Sequence, residues 1–351
     1  MRRPMAYRCK LAFLYCCKYL GLFGLARLVT RRGLRVLCYH GFSFRDEHVF
    51  RPKLFMRPET FARRMALLAA RGHQVLPLGE ALDRLDRGTL PDAAVAITVD
   101  DGWYGFLRFG APELARRDFP ATVYLTTYYA EKQAPIFKVL VEYLFWASDA
   151  AALDLDGLAE GLGGQVDLAD PAARGRARDA VIVCGDERLD APARTALAHA
   201  LAERLGIDPA PIAELRMFEL TTLDEAKQYA SHGIDVQLHT HTHRISADDR
   251  AAAEAEVMKN RALLSEVTDA PTVHFCYPSG LHHPRQYEWL RRLGIVSATT
   301  TVAGLHYPGE ERMAVARLID GEDVTDIEFE AELAGLGPLM RRTRRAVADA
   351  G

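Results

Sequence analysis

Val95-Ala96-Ile97-Thr98-Val99-Asp100-Asp101-Gly102 is an apolar run that ends on two adjacent carboxylates and a glycine. An uninterrupted apolar stretch of this length, rich in β-branched residues, predicts a strand buried on both faces. Asp-Gly is an ordinary turn signal, but a turn needs only one aspartate. Two carboxylates side by side at a strand end repel each other, and each disfavours ionisation of the other. A bound cation would remove that cost. Far downstream, Val236-Gln237-Leu238 runs into His239-Thr240-His241-Thr242-His243. A lone histidine is usually a solvated or core residue. Three within five positions after a buried strand point instead to metal ligation. His239 and His243 face the same way if a helical turn begins there, whereas continued strand would pair His239 with His241. The first alternative is preferred. The two segments together supply one carboxylate ligand, paired imidazoles and a spare carboxylate, which suits hydrolysis at a metal.

Strand and helix signals alternate on either side of the Asp pair. Strands are expected at 34–39, 75–76, 94–99 and 121–126, with helices at 58–70, 78–87 and 111–117. Such alternation predicts a parallel α/β architecture. It lapses from about 133 to 220, which is expected to be a mainly helical insertion. It resumes with a helix at 223–231 capped by Thr222, and with strands at 234–238, 272–276, 294–301 and 315–319. Helices are expected between them at 248–265 and 287–292, and a last helix at 328–348. His40, Asp100-Asp101, His239 to His243 and Tyr277-Pro278-Ser279-Gly280 each follow a predicted strand. In parallel barrels the carboxyl ends of strands share one face, so these clusters should converge. Tyr39, Trp103, Tyr104 and Tyr277 stand near these clusters in the sequence, as stacking faces for a ligand or as ordinary core.

The 351 residues carry a net charge of −3, with a pI near 6.5, which offers no global basic field for nucleic acid. The six cysteines form no CxxC pair, which favours a reducing compartment. Residues 11–26 are apolar but interrupted by Lys18, with Arg2, Arg3 and Lys10 before and Arg27, Arg31 and Arg32 after. The favoured expectation is an amphipathic helix in a membrane interface, with contact through residues 10–32. A helix docked on the domain's own surface and a signal or anchor segment are the alternatives. The division expected is 1–33 for this segment, 34–335 for the barrel and 336–351 for a helical tail, in a cytoplasmic protein peripheral at the inner membrane.

These motifs resemble those of the polysaccharide deacetylase, or NodB-homology, proteins of carbohydrate esterase family four. That family's T-F-D-D-G stands here as Thr98-Val99-Asp100-Asp101-Gly102, and its H-[ST]-x-x-H as His239-Thr240-His241-Thr242-His243. A third motif, F-A-Y-P-x-G, stands as Phe275-Cys276-Tyr277-Pro278-Ser279-Gly280. The resemblance implies a distorted (β/α)7 barrel. It implies Asp100 as catalytic base and Asp101, His239 and His243 as ligands of one divalent ion, zinc first, with cobalt, nickel or manganese as alternatives. Tyr277, Pro278, Ser279, Gly280 and Trp103 would form the oxyanion and substrate-binding wall. The reaction implied is removal of an acetyl or formyl group from an amino sugar of a polysaccharide, oligosaccharide or lipid-linked glycan. Two departures stand out. Cys276 occupies the place of an arginine that orients the base in many members, and a late Leu-x-His motif is missing. Leu37-Cys38-Tyr39-His40 resembles the segment that opens a permuted branch, which implies His40 as general acid; His274, His282 and His283 are the other candidates. The rival reading is a catalytically silent glycan-binding barrel in a polysaccharide synthesis machine.

Overall fold

In the computed structural model, which describes residues 4–348, seven parallel strands close into a barrel. They are β1 (Arg35–Tyr39), β2 (Val95–Val99), β3 (Ala121–Leu125), β4 (Ile234–Leu238), β5 (His274–Cys276), β6 (Ser297–Ala303) and β7 (Val315–Ile319). Their order around the barrel follows the chain, and β1 fills the gap between β7 and β2. Its register is set by Leu37 opposite both Leu318 and Ile97. The α/β expectation and the seven-stranded barrel both hold. Only residues 75–76 fail to form a strand of their own; Val75 makes a single bridge to Val95.

Alternation along the strands sorts the side chains. Leu37, Tyr39, Val95, Ile97 and Val99 pack outward against Phe61, Met65 and Leu68 of the helix Pro58–Ala70. Val36, Cys38, Ala96, Thr98, Tyr124, Cys276, Val315 and Arg317 form the opposite set, facing the barrel axis. Several of these inward residues are small, which leaves room at the axis for the buried Arg317 side chain and Tyr124.

The segment after β3 builds a second core. Helices Phe137–Ala147, Pro171–Arg188 and Ala191–Arg204 pack around Leu140, Leu144, Val181 and Leu201. Phe55, Trp103 and Leu220 tie this core to the barrel. Each large apolar side chain buried there contributes about 1.5–3 kcal/mol relative to exposure. The segment is mainly helical but also holds an antiparallel pair, Ala152–Asp154 with Gln165–Asp167. That pair is short and mostly exposed, so it carries no apolar alternation to read.

Two long helices expected from the sequence are each broken at a left-handed glycine. Residues 11–26 divide into Met5–Tyr19 and Leu22–Val29 at Gly21 (φ 77°), and 328–348 into Asp326–Leu333 and Leu336–Ala348 at Gly335 (φ 84°). Residues 1–3, with Arg2 and Arg3, and residues 349–351 lie outside the described residues.

Candidate functional site

The carboxyl ends of β1, β2, β4 and β5 bring His40, Asp100, Asp101, His239, His243, Ser279 and Gly280 to one cavity of about 430 Å³. The insertion supplies an opposite wall through Ile136, Lys138, Val139 and Leu220.

Asp101 and the paired histidines meet at a point. His239 Nε2 lies 3.1 Å and His243 Nε2 3.3 Å from Asp101 Oδ1. The three donor atoms fall within 4.8 Å of one another. His239 Nδ1 stands 2.8 Å from the Cys276 carbonyl oxygen, which can only accept, so Nδ1 carries a proton. In the neutral ring, Nε2 then presents a lone pair to a carboxylate oxygen. That arrangement calls for a positive charge between them, and two imidazoles with one carboxylate are a zinc-type donor set with positions left over for water. Trp103 Nε1 donates to Asp101 Oδ2 at 2.8 Å and fixes the carboxylate's other oxygen. Burial opposes the charge on Asp101, but hydrogen bonds from His239 and His243 hold its carboxyl well below the usual range. A proton on His239 Nε2 is the alternative to a cation at that point: burial opposes it, whereas Cys276 and the Asp101 carboxylate raise the imidazole well above its ordinary value.

The preferred histidine pair is the one that converges, but by a different route. Residues 239–243 form a bend rather than a helical turn, with Thr240 (φ 65°) and His243 (φ 59°) left-handed. His241 points elsewhere: it is buried, with Nδ1 3.0 Å from Thr127 Oγ1. Asp101 (φ 71°) and Ser279 (φ 57°) share this conformation, so three of the eight left-handed non-glycine residues described line one cavity, and Thr240 lies in the bend that carries His243 there. Each costs roughly 1–3 kcal/mol, which marks a site where side-chain placement outranks backbone comfort. Gly280 (φ 69°) has no substitute, because a Cβ there would sit 2.0 Å from Thr301 Oγ1.

Asp100 faces inward and binds a different cation. Arg317, from the middle of β7, donates Nη1 to Oδ1 and Nη2 to Oδ2, both at 2.7 Å. Burial would raise the Asp100 carboxyl, but the Arg317 charge and hydrogen bonds, with His40 and His239 beyond, hold it far below its ordinary value. The adjacent carboxylates thus stay ionised together because each has its own counter-charge. Two other donor groups, one with Cys38 and His40 and one with His239 and Cys276, also include Asp100. Both its oxygens are engaged by Arg317, which leaves Asp101 the better ligand.

Arg317 was missed in the sequence. Its signal was there, since a lone cation inside Val315-Ala316-Arg317-Leu318-Ile319 must find a buried partner. It also accounts for Cys276. The Cys276 Sγ lies 3.4 Å from both Arg317 Nη2 and Asp100 Oδ2, so a small side chain on β5 makes room for a guanidinium from β7. Asn260 and Glu256 were missed too. Asn260, buried on the helix Arg250–Leu264, accepts from the His239 backbone N–H at 2.9 Å and donates to the Leu125 carbonyl. Glu256 accepts from the Thr242 N–H and hydroxyl, both at 2.8 Å. Asn260 falls in the buried stripe of Ala253, Val257 and Leu264, and a polar residue in such a stripe is a readable sign.

Other predicted residues are distributed unevenly. His40 Nε2 is 3.6 Å from Asp100 Oδ2, and its buried Nδ1 has no hydrogen-bond partner among the described residues. Trp103, Ser279 and Gly280 line the cavity. Tyr277 and Pro278 do not, which corrects their expected place in the substrate wall. The Tyr277 ring is wholly buried against Phe275, and its hydroxyl donates to the Met313 carbonyl at 3.1 Å. Alternation turns it toward the core while Ser279 takes the rim. Tyr39 is core, and Tyr104 stacks on Phe44 with Arg216 over its ring. His274 is buried and bound to Ser297, and His282 and His283 sit outside the cavity lining.

Residues 200–298 match the family model described as polysaccharide deacetylase. The match spans the histidine and Tyr277 to Gly280 motifs but not Asp100. No curated protein matches the chain. Among solved structures, the chain is similar to the Streptococcus pyogenes deacetylase PplD in complex with acetate, with a TM-score of 0.56 and 15% identity over 86% of this chain and 98% of that one. It is similar to IcaB from Ammonifex degensii, with a TM-score of 0.53 and 19% identity over 86% and 96%. A polysaccharide deacetylase from Bacillus cereus gives 0.52 and 16% over 86% and 69%. At these identities the likeness is one of fold.

Proposed function

We propose that this polysaccharide deacetylase-like barrel is a metal-dependent hydrolase that removes an N-acyl group, acetyl or formyl, from an amino sugar. One observation carries the reading: Asp101, His239 and His243 converge at one point, with the ionised Asp100 beside them in the same cavity. A divalent ion held by Asp101, His239 and His243, zinc by its donor set, would supply positive charge to the scissile carbonyl and acidify water at the site.

The chain's own groups account for the rest. Asp100, locked by Arg317, accepts the proton of the attacking water. The Arg317 charge keeps this carboxylate ionised and able to accept a proton. Trp103 keeps Asp101 from rotating. The backbone at Ser279, held left-handed on the cavity rim, is the candidate donor to the developing oxyanion. His40 lies on the cavity wall beside Asp100 and is the candidate that delivers a proton to the leaving amine as the C–N bond breaks. Arg317 supplies the base-orienting cation whose apparent absence had favoured a silent glycan-binding barrel.

The test is metal content and acyl release from N-acetylated and N-formylated hexosamine oligomers. Wild type should take up close to one divalent ion and turn over. Asp100→Asn should keep the metal and lose about 10²–10⁴-fold in rate. A chain that takes up no zinc or cobalt, or an Asp100→Asn enzyme of undiminished rate, would overturn the assignment.

A further inference from the structure

The first 33 residues hold eight cations, Arg2, Arg3, Arg8, Lys10, Lys18, Arg27, Arg31 and Arg32, and the chain's first acidic residue is Asp46. Within this basic stretch the two N-terminal helices are apolar on two faces. The inner face of Met5–Tyr19 is docked, with Leu14 packed on Ile327 and Ala331, and with Lys10 and Lys18 paired to Glu328 and Glu330. The outer face carries Met5, Cys9, Phe13, Cys16 and Leu20, which recur at helical spacing and are exposed. Leu22, Leu25, Leu28 and Val29 continue the exposure on the second helix, with Leu25 57% and Val29 62% exposed. A helix that is apolar all round is at home in a core or a membrane, and a contiguous exposed patch marks an interaction surface.

We propose that this outer face seats the protein on an anionic lipid bilayer, lying in the interface rather than crossing it. Three observations favour that occupant. Lys10 and Lys18 are neutralised by Glu328 and Glu330, and Arg31 stands 3.8 Å from Asp92, but Arg8 and Arg32 flank the strip exposed and without an acidic residue within the segment itself, which complements anionic headgroups. No single helix among the described residues is long and apolar enough to span; Met5–Tyr19 and Leu22–Val29 reach that length and composition only together, and they meet at 80°. Crossing would also strip Leu14 from its pocket and break the Lys18–Glu330 pair, whereas in-plane seating moves nothing. The docked-helix and interfacial alternatives are therefore two faces of one element. The inference does not depend on whether the barrel is catalytic.

The native thiols provide the probe, because Cys9 and Cys16 are the exposed cysteines among the described residues and both lie on the proposed face. Full-length protein labelled there with a polarity-sensitive dye is mixed with vesicles of phosphatidylcholine, alone or with phosphatidylglycerol. The expected result is a blue shift and co-sedimentation with the anionic vesicles at least about tenfold tighter than with neutral ones, weakening in high salt. The double variant Phe13→Glu, Leu25→Glu should keep its melting temperature, since both side chains are exposed, and lose about tenfold or more in vesicle affinity. Equal binding to both vesicle types, or none by a protein that melts normally, would overturn the proposal. So would a blue shift without vesicles accompanied by dimerisation, which would assign the face to a second copy of the chain.

Discussion

The barrel top and the insertion face each other across one cavity and are built on opposite terms. The top is polar, buried and strained. It holds the Asp100–Arg317 pair, the Asp101–histidine cluster and the left-handed Asp101, His243 and Ser279. The insertion is a conventional apolar core that presents Ile136, Lys138, Val139 and Leu220 to the cavity. A buried ion pair is poor value as a stabiliser against an apolar replacement, so its presence at the top points to chemistry rather than to folding. The insertion shows the reverse balance, and its part is to shape access.

If that division is right, changes on the two sides should separate in kind. The largest effect is expected from Arg317→Met, which leaves Asp100 buried and without its counter-charge. It should lower stability by about 3–5 kcal/mol and abolish turnover. With Arg317 gone, burial raises the Asp100 carboxyl against only the smaller pull of His40 and His239, so the unfolded state is expected to ionise first. The deficit should therefore be greatest at neutral pH and shrink as pH falls and Asp100 protonates, which denaturant titrations at several pH values would show. Asn260→Ala comes next. It frees the His239 backbone, and metal affinity should fall about 10–100-fold while the melting temperature of the metal-free protein changes far less.

Across the cavity, Lys138→Glu should shift KM by only a few fold. It should leave kcat and metal content alone, since an exposed charge contributes at most about 1 kcal/mol. A Lys138→Glu enzyme with collapsed kcat would show that the insertion takes part in the chemistry. The smallest effect tests a position outside both regions. Burial raises Asp235 to about 6, against a hydrogen bond from Gln237. Its folded value lies above the unfolded one, so the native state binds the extra proton and loses stability as pH rises from about 4 to 6. Asp235→Asn should raise the melting temperature at pH 8 by about 2–4 °C, with the gain vanishing near pH 4 and kinetics unchanged.

The same contrast governs what could be read from the sequence. The barrel strands were legible because parallel strands buried on both faces are short apolar runs, and the motifs at their ends repeat that position. The histidine pair was legible, but the bend that unites it was not, since its left-handed Thr240 and His243 have no propensity signal. Arg317 escaped because attention to motifs looked for an arginine on β5, while the fold delivers one from β7 to the same point. Tyr277 was misplaced because a motif names neighbours, and only strand alternation tells which of them turns inward. The insertion hid its β-hairpin because exposed two-stranded pairs need no apolar pattern.

Barrel closure has a consequence for how the molecule comes into being. Arg35 on β1 donates to the Leu333 carbonyl, 298 positions later, and Asp100 waits for Arg317 across 217 positions. During synthesis the first strand emerges with one edge unpaired and keeps that edge until almost the whole chain has followed. Slow, long-range closure of this kind exposes a folding chain to aggregation. A copy that ends before β7, however well folded elsewhere, lacks the Arg317 charge that keeps Asp100 ionised once it is buried. The Asp100–Arg317 pair beside the cavity is among the last contacts the folding chain can make.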